Sequence, residues 1–288
     1  MSVFRKKIAE YLNASNLPGL RKLCFEHKKE YIPKKLYKYC PINDYSVQNI
    51  QRNQLWLNNP RQFNDPFDSW LLKAQADEKS KHFIMTLIGR GAEFFQFSEI
   101  VQEQALRLAE PQIQASQQKY YDRFNETINS LIRVVCLTEN DPSSTIMWGH
   151  YGNLHKGICL EYDFSNCDDD CFDMIMPVLY YESPPIIKYN EMTNDDDYLE
   201  CIVHQSIITK SCEWEYESEW RLTKSLSTPT DSGVPQYAPY LRQIFIGALA
   251  EEHKVDYSEV SNLAAKLSVP VSMMKRQTNS FKLIAEPL

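Results

Sequence analysis

The sequence predicts an α+β fold, and the order of its segments is the reason. A basic stretch with helical periodicity opens the chain, and a Gln-rich helical stretch interrupts it at residues 77–133. The remainder is mostly short aromatic or β-branched runs bounded by turn residues, with helices between some of them. Segregated helices and strands are typical of α+β folds. We therefore expect a helical N-terminal arm, residues 1–35, and a single α+β domain, residues 36–288, that carries the helical insert.

Composition limits the classes of protein to which the chain can belong. It has 288 residues, of which 43% are hydrophobic, enough for a packed core. A net charge of -7 is not typical of a general nucleic-acid binder. No apolar run approaches the roughly 20 residues that span a bilayer. The eight cysteines are scattered without a C-x-x-C pair, which indicates free thiols in a reducing compartment and hence a cytoplasmic location.

The first 68 residues alternate helices and strands. Apolar residues near one helical face predict a first helix from Val3 to about Leu12, and a second follows over 20–31. The basic excess here allows two interpretations, a docking surface or a solvated helical pair packed on the domain, and we favour the second. The remaining predicted elements of this part are a strand at 36–39, a helix capped by 43–46, a strand at 54–57 and a turn at 63–68.

Strands dominate the chain after the insert. Buried-type runs predict them, and polar caps or acidic first turns predict the helices between them. The predicted strands are 133–138, 156–164, 176–181, 214–221, 241–247, 269–274 and 281–284. The predicted helices run from a cap at 143–145 through 147–151, over 198–209 and over 252–267, and residues 225–238 are predicted to be a long loop.

The stretch Trp214–Arg221 concentrates acids and aromatic rings. As a strand it would point Glu215, Glu217 and Glu219 to one face, with Glu213 just before them. Its aromatic residues would then point inward. Carboxylates at a spacing of two repel each other, so the row is either a solvated edge or faces a cation. Arg221 at its end is expected to neutralise the row.

Four segments hold more polar and aromatic residues than a core requires. They are 36–39, 63–68, 144–151 and 214–221. Aromatic rings stack on flat ligands, and carboxylates stabilise a cation that develops during a reaction. Together the segments suit a ligand with planar rings and a developing positive charge.

These segments also carry a family resemblance. Leu-Tyr-Lys-Tyr, Phe-Asn-Asp-Pro-Phe-Asp, Met-Trp-Gly-His-Tyr and Trp-Glu-Tyr-Glu-Ser-Glu-Trp-Arg occur in that order between Leu36 and Gly247. The pattern resembles a bacterial family of unknown function found among defence-associated and effector-like proteins. That family in turn is similar to the ADP-ribosyltransferases. The resemblance implies a split mixed β-sheet, NAD as substrate and a protein acceptor, and it allows export to a host cytosol without a classical signal peptide.

The resemblance also implies roles for individual residues. Glu217 and Glu219 match the Glu-x-Glu motif of arginine-modifying members, so Glu219 would stabilise the ribose cation and Glu217 would orient or deprotonate the acceptor guanidinium. Lys38 stands where Arg or His is usual. The remaining residues implied in NAD binding are Tyr39, Asn64, Asp65, Phe67, Ser144, Trp148, His150 and Tyr151.

Other interpretations remain open at this point. Trp148 and Tyr151 can be core aromatics, His150 a structural hydrogen-bonder, and Asn64–Asp65 only a turn. A metal-dependent nuclease or hydrolase would use Asp65, Asp68 and the glutamates as oxygen ligands for Mg²⁺. A non-catalytic interaction module would use the basic arm for docking, and NAD would then leave its melting temperature unchanged.

Overall fold

Two helices precede the first strand of the fold, and the other described helices lie between strands. The structure, a computed structural model, describes residues 3–13, 17–69, 122–165, 174–185 and 203–288, together with residues 104, 111, 115, 119 and 171. Its labelled α-helices are α1 (Val3–Asn13), α2 (Leu17–Tyr31), α3 (Asp44–Gln51), α4 (Thr145–His150) and α5 (Ser258–Leu267). Residues 122–131 and 203–208 are also helical, and short 3-10 helices span Pro60–Gln62 and Cys212–Glu217.

Strands occur throughout the described part of the chain after the first two helices. In the first half they are β1 (Lys35–Cys40), β2 (Gln54–Leu57), β3 (Ile132–Thr138), β4 (Ile158–Asp163), β5 (Ile175–Pro177) and β6 (Leu179–Tyr181). In the second half they are β7 (Thr209–Ser211), β8 (Glu219–Ser225), β9 (Val234–Tyr237), β10 (Tyr240–Ile246), β11 (Val271–Arg276) and β12 (Leu283–Pro287).

A mixed sheet of eight described strands forms the centre of the fold, in the order β12-β11-β10-β4-β1-β3-β8-β5. The pair β10–β11 is parallel, and the other neighbours in this sheet are antiparallel. Two smaller pairs, β2–β9 and β6–β7, lie beside it. The prediction of an α+β fold with a mixed sheet is therefore confirmed.

The sheet is less continuous between β1 and β3 than elsewhere. β1 pairs with β4 over its whole length, whereas its pairing with β3 consists of one residue pair, Tyr37 opposite Thr138. The first half of β3 bonds to the loop after β2 instead, through Val134 and Asn58. The candidate site described below lies along this discontinuity.

Apolar side chains cover both faces of the sheet. The main core includes Leu36 of β1 and extends to the N-terminal arm, where Phe4 and Ile8 are buried. A second, smaller core on the opposite face contains Tyr37 and Tyr39, the alternate residues of the same strand. Alternation along β1 thus assigns its aromatic residues to the face that carries α4. The arm packs on the domain, as the favoured interpretation of its basic helices predicts.

The predicted strand over Trp214–Arg221 is wrong in its first half. Residues up to Glu217 form a 3-10 helix, and the strand begins at Glu219. The Ser211 side chain accepts from the Glu213 amide and starts that helix, and acids are favourable in the first turn of a helix. Glu213 and Glu215 are consequently exposed, whereas Glu217 and Glu219 are buried. The row of four acids does not exist.

Other element predictions differ from the structure at their boundaries. The predicted loop 225–238 contains β9, which pairs with β2, and the predicted strand 176–181 is two strands separated at Val178. The C-terminal helix begins at Ser258. Most of the predicted insert lies outside the described residues, but 122–131 is helical as predicted. None of the described helices is long and apolar enough to cross a bilayer.

Candidate functional site

The turn between Glu217 and Glu219 directs both acids toward one buried position. Ser218 lies between the 3-10 helix and β8, and its φ of 46° is in the left-handed region. The Thr138 hydroxyl donates to the Glu217 carbonyl, and the Tyr180 hydroxyl accepts from the Glu219 amide at 2.8 Å. Both glutamates are only 3% exposed. The turn therefore holds two carboxylates side by side away from water.

Lys210 is the cation to which both carboxylates point. Its ammonium nitrogen lies 2.6 Å from Glu217 Oε2, 3.1 Å from Glu219 Oε2 and 3.8 Å from Asp68 Oδ2. It also lies 4.7 Å from the centre of the Trp214 ring, within the range of a cation–π contact. The lysine side chain is 3% exposed, so these are interactions in a low-dielectric interior.

A buried guanidinium joins the same cluster from β8. Arg221 donates through Nη1 and Nη2 to both oxygens of Asp68, at 2.7 and 2.6 Å, and through Nε to Glu219 Oε1 at 2.8 Å. It also donates to the Ile207 carbonyl, and Phe63 lies beneath it at 5.4 Å. A planar guanidinium matches a carboxylate in this bidentate way. Asp68 thereby anchors the 63–68 turn to the strand that carries Glu219.

The two glutamates are in different electrostatic environments. Burial raises the pKa of Glu217, and Lys210 only partly offsets that effect. Burial would also raise the pKa of Glu219, but Arg221 and Lys210 outweigh it and hold this pKa at about 2. The same carboxylates raise the pKa of Lys210 against its own burial. Environments that separate the pKa values of two neighbouring carboxyls are typical of acid–base sites.

An open cleft of about 300 Å³ lies over this cluster. The acids that reach it are Asp68, Glu217 and Glu219, and the amines are Lys38 and Lys210. Its aromatic and imidazole rings are Tyr37, Tyr39, Phe63, His150 and Tyr151. A small volume with several rings and a few convergent polar groups is typical of a ligand site.

Three of the residues implied by the resemblance line the cleft beside the acids. Tyr151 donates its hydroxyl hydrogen to Glu217 Oε1 and accepts from Asn64 Nδ2 at 3.4 Å. Burial raises the pKa of Tyr151, and the bond to Glu217 raises it further. His150 Nδ1 lies 2.9 Å from the hydroxyl of Tyr216 at the exposed side. Tyr151, Asn64 and His150, which the resemblance implies in NAD binding, thus lie together at this cleft.

Lys38 and Tyr39 also border the cleft, but their polar groups are already engaged. Lys38 Nζ donates to the carbonyl of Cys136 at 3.0 Å, across the gap between β1 and β3. Tyr39 donates to the carbonyl of Asp141 at 2.6 Å, and its ring meets Trp148 edge-on at 5.1 Å. These two residues therefore help to form the wall of the cleft.

Four other residues implied by the resemblance do not line the cleft. Trp148 is fully buried and donates to the Pro142 carbonyl at 2.8 Å, so it is a core aromatic. Ser144 is at the start of α4 but makes no side-chain capping bond. Asp65 is buried within its turn and accepts from the Phe67 amide at 2.9 Å, whereas Phe67 itself is 60% exposed.

Lys210 is the site residue that sequence reasoning missed, because it lies between Thr209 and Ser211, where the sequence does not distinguish it from a surface lysine. The nearby signal is the isoleucine pair at 207–208, since a lysine that is buried beside such residues requires an acidic partner. Asp68 was considered only as a metal ligand. Within the described residues, no group of three or more His, Cys, Asp or Glu side chains is arranged to hold a metal ion. Asp68, Glu217 and Glu219 instead surround Lys210.

One comparison with known proteins gives a match. Residues 147–222 match the family described as Protein of unknown function (DUF2971). This range includes Tyr151, Lys210 and both buried glutamates, but neither Lys38 nor the 63–68 turn. No curated protein and no solved structure matches the chain significantly. The resemblance to ADP-ribosyltransferases therefore stays a prediction.

Proposed function

We propose that the chain is a mono-ADP-ribosyltransferase that takes NAD as its substrate and modifies a protein side chain, with arginine as the acceptor. The observation that carries this proposal is the pair of buried carboxylates, Glu217 and Glu219, at an aromatic cleft. The bond between ribose C1′ and the nicotinamide nitrogen breaks, and its electron pair leaves with nicotinamide. An acceptor nitrogen then bonds to C1′ and releases one proton.

Electrostatics favour this chemistry at the cleft. Positive charge develops on the ribose as the glycosidic bond breaks, and a preorganised carboxylate in a water-poor site stabilises it. Glu217 is 3% exposed, and its two oxygens already bond to Tyr151 and Lys210. Its position is therefore set before the substrate binds, so no reorganisation is needed during the reaction.

The structure favours Glu217 over Glu219 as the group nearest the developing cation. Glu219 binds two cations, since Arg221 takes Oε1 and Lys210 takes Oε2. Among the described residues Glu217 bonds to one cation, Lys210, and its other oxygen accepts from the neutral hydroxyl of Tyr151. More of the negative charge of Glu217 is thus available to a ligand. In this proposal Glu217 takes the role that the resemblance implies for Glu219, and Glu219 holds the cluster in place.

The size of the cleft suits part of NAD rather than the whole dinucleotide. About 300 Å³ is at the lower end of ligand sites. The nicotinamide and its ribose would occupy the cleft, with the base against the rings of Tyr151, His150 or Phe63. The adenosine diphosphate portion would extend beyond it. This arrangement places the reacting C1′ atom near the acids and keeps the acceptor side open.

Two isosteric variants test the proposal. Glu217→Gln should lower the transfer of radiolabelled ADP-ribose from NAD by about 10²–10³-fold, the usual effect of removing one preorganised electrostatic group. Glu219→Gln should act mainly on stability, since its partners are the two buried cations. The control is Glu213→Gln, which changes an exposed acid of the same 3-10 helix.

Circular dichroism verifies that each variant folds, and mass spectrometry identifies the modified side chain. Label transfer by Glu217→Gln at the wild-type rate would contradict the proposed role of Glu217. A wild-type chain that neither binds nor consumes NAD, in the presence of arginine-rich acceptors, would refute the proposed function itself.

A further inference from the structure

We infer that Lys210 is a positioning residue of this site, which holds Glu217 and Glu219 in one arrangement and keeps Glu217 in its charged form. The effect of Lys210 on turnover rests on the proposed function. Its effect on the two carboxylates does not, because that effect follows from the contacts alone.

Lys210 connects elements that are distant in the chain. It lies in β7, and its ammonium reaches Glu217 in the 3-10 helix, Glu219 in β8 and Asp68 in the turn after β2. Tyr180, its partner in the β6–β7 ladder, accepts from the Glu219 amide. The β6–β7 pair therefore contacts both the side chain and the backbone of the acid turn, and it fixes the position from which Lys210 acts.

Two neighbouring carboxylates in a buried site resist ionising together, because like charges at short range repel. Arg221 secures the charge of Glu219 by a direct bond at 2.8 Å, whereas no guanidinium among the described residues bonds to Glu217. Lys210 is the cation that contacts Glu217, at 2.6 Å. Without its ammonium, Glu217 would be the carboxyl that takes up a proton. In the part of the chain that the structure describes, the titratable groups that face Glu217 are Tyr151, Tyr180, Lys210, Tyr216 and Glu219.

The sign of the expected change follows from these contacts. Lys210 lowers the pKa of Glu217, while burial and Glu219 raise it. Removing Lys210 leaves only the raising causes and the bond from Tyr151. An opposite charge at this range usually lowers the pKa of a carboxyl by about 1–3. We expect the titration midpoint of Glu217 to rise by about that amount in a variant that lacks the ammonium.

The primary test measures the carboxyl directly. Chains labelled with ¹³C at the glutamate side-chain carboxyl are titrated by NMR, and the Glu217 signal is assigned by its absence in Glu217→Gln. Lys210→Met and Lys210→Gln should both raise the Glu217 midpoint, so that either variant suffices if the other does not fold. Lys210→Arg should keep it near the wild-type value. The control is Lys224→Met, which removes a lysine of β8 that bonds to Gln236 instead.

The second readout is the pH profile of NAD turnover. In Lys210→Met the acid limb of the profile should move to higher pH together with the Glu217 midpoint. The value of kcat should then fall at neutral pH and recover at higher pH. KM should change little. A wild-type Glu217 midpoint in both Lys210 variants would overturn the inference. If the midpoint rises but the wild-type chain does not consume NAD, the positioning role stands and the proposed function fails.

Discussion

Replacing Arg221 by methionine provides the sharpest test of how the acid cluster is held together. Arg221 is completely buried, and it bonds to both oxygens of Asp68 and to Glu219. Methionine fills much of the same space without the charge, so two buried carboxylates would lose one of the cations that they share. We expect a large loss of the free energy of unfolding, and a loss that depends on pH.

Burial of the paired charges sets the size of this loss. Removing one partner of a buried ion pair usually costs about 3–5 kcal/mol, because the other charge stays buried without compensation. The pKa of Glu219 is about 2 in the folded chain against an ordinary value of 4.5. That difference corresponds to about 3 kcal/mol of stabilisation of the charged form, to which Arg221 contributes most and Lys210 adds. For a chain of this size the melting temperature would fall by about 6–20 °C.

The pH dependence has a definite sign. The folded-state pKa of Glu219 is depressed, so in the wild type its contribution is fully present above pH 4.5 and is lost as pH falls toward about 2. In Arg221→Met the carboxyl of Glu219 would take up its proton at higher pH instead. The deficit of the variant relative to the wild type should therefore be largest near pH 7.5 and smaller near pH 5.

Urea unfolding monitored by tryptophan fluorescence at these two pH values measures the deficit. The matched control is Arg276→Met, because Arg276 and its partner Glu252, 3.2 Å apart, both have side chains that are more than half exposed. Surface pairs of this kind contribute about 0–1 kcal/mol. If Arg221→Met cost no more than this control, or if its deficit did not shrink on acidification, the ionic account of the cluster would be wrong.

Two further predictions concern the backbone around the site. Ser218→Val should destabilise the chain by about 1–2 kcal/mol in the same urea assay, because Ser218 has a φ of 46°, whereas Ser218→Gly should cost almost nothing. Gly157→Ala should cost about 1–3 kcal/mol, since an added Cβ would lie 2.3 Å from the Cys40 carbonyl oxygen. Gly149→Ala in α4, where nothing lies within 4 Å of the added methyl, should instead stabilise by up to about 1 kcal/mol. Equal melting temperatures of the two alanine variants, or of the two Ser218 variants, would contradict these explanations.

Local patterns predicted the regular elements of the fold well. The helix after Asn43 forms with the predicted polar cap, since Asn43 and Ser46 exchange side-chain and backbone hydrogen bonds. The strand 36–39 is β1, because alternate residues of an aromatic run can pack on both faces of a sheet. Such features depend on residues close in sequence, so they can be predicted from one chain.

The candidate site was only partly predictable, because its partners come from distant segments. Glu217 and Glu219 attract attention in the sequence, but nothing local shows that Lys210 and Asp68 lie between and beside them. The strand prediction for Trp214–Arg221 failed for a related reason. A period of two among charged residues indicates a strand, whereas Ser211 and Ser218 define a short helix and a left-handed turn that the period does not reveal.

The first helix supports the strand that carries Glu219, although the two are far apart in the sequence. Arg5 donates to the backbone carbonyls of Val178 and Glu219, and Phe4 stacks against Trp220 at 6.3 Å. A residue at the very beginning of the chain thus supports the acid-bearing strand across a separation of 214 residues. Affinity tags or truncations in the first helix can therefore disturb the strand that carries Glu219. A shortened protein that begins after Asn13 would lack these contacts, so β8 and the acid that it carries would lose their support from the first helix.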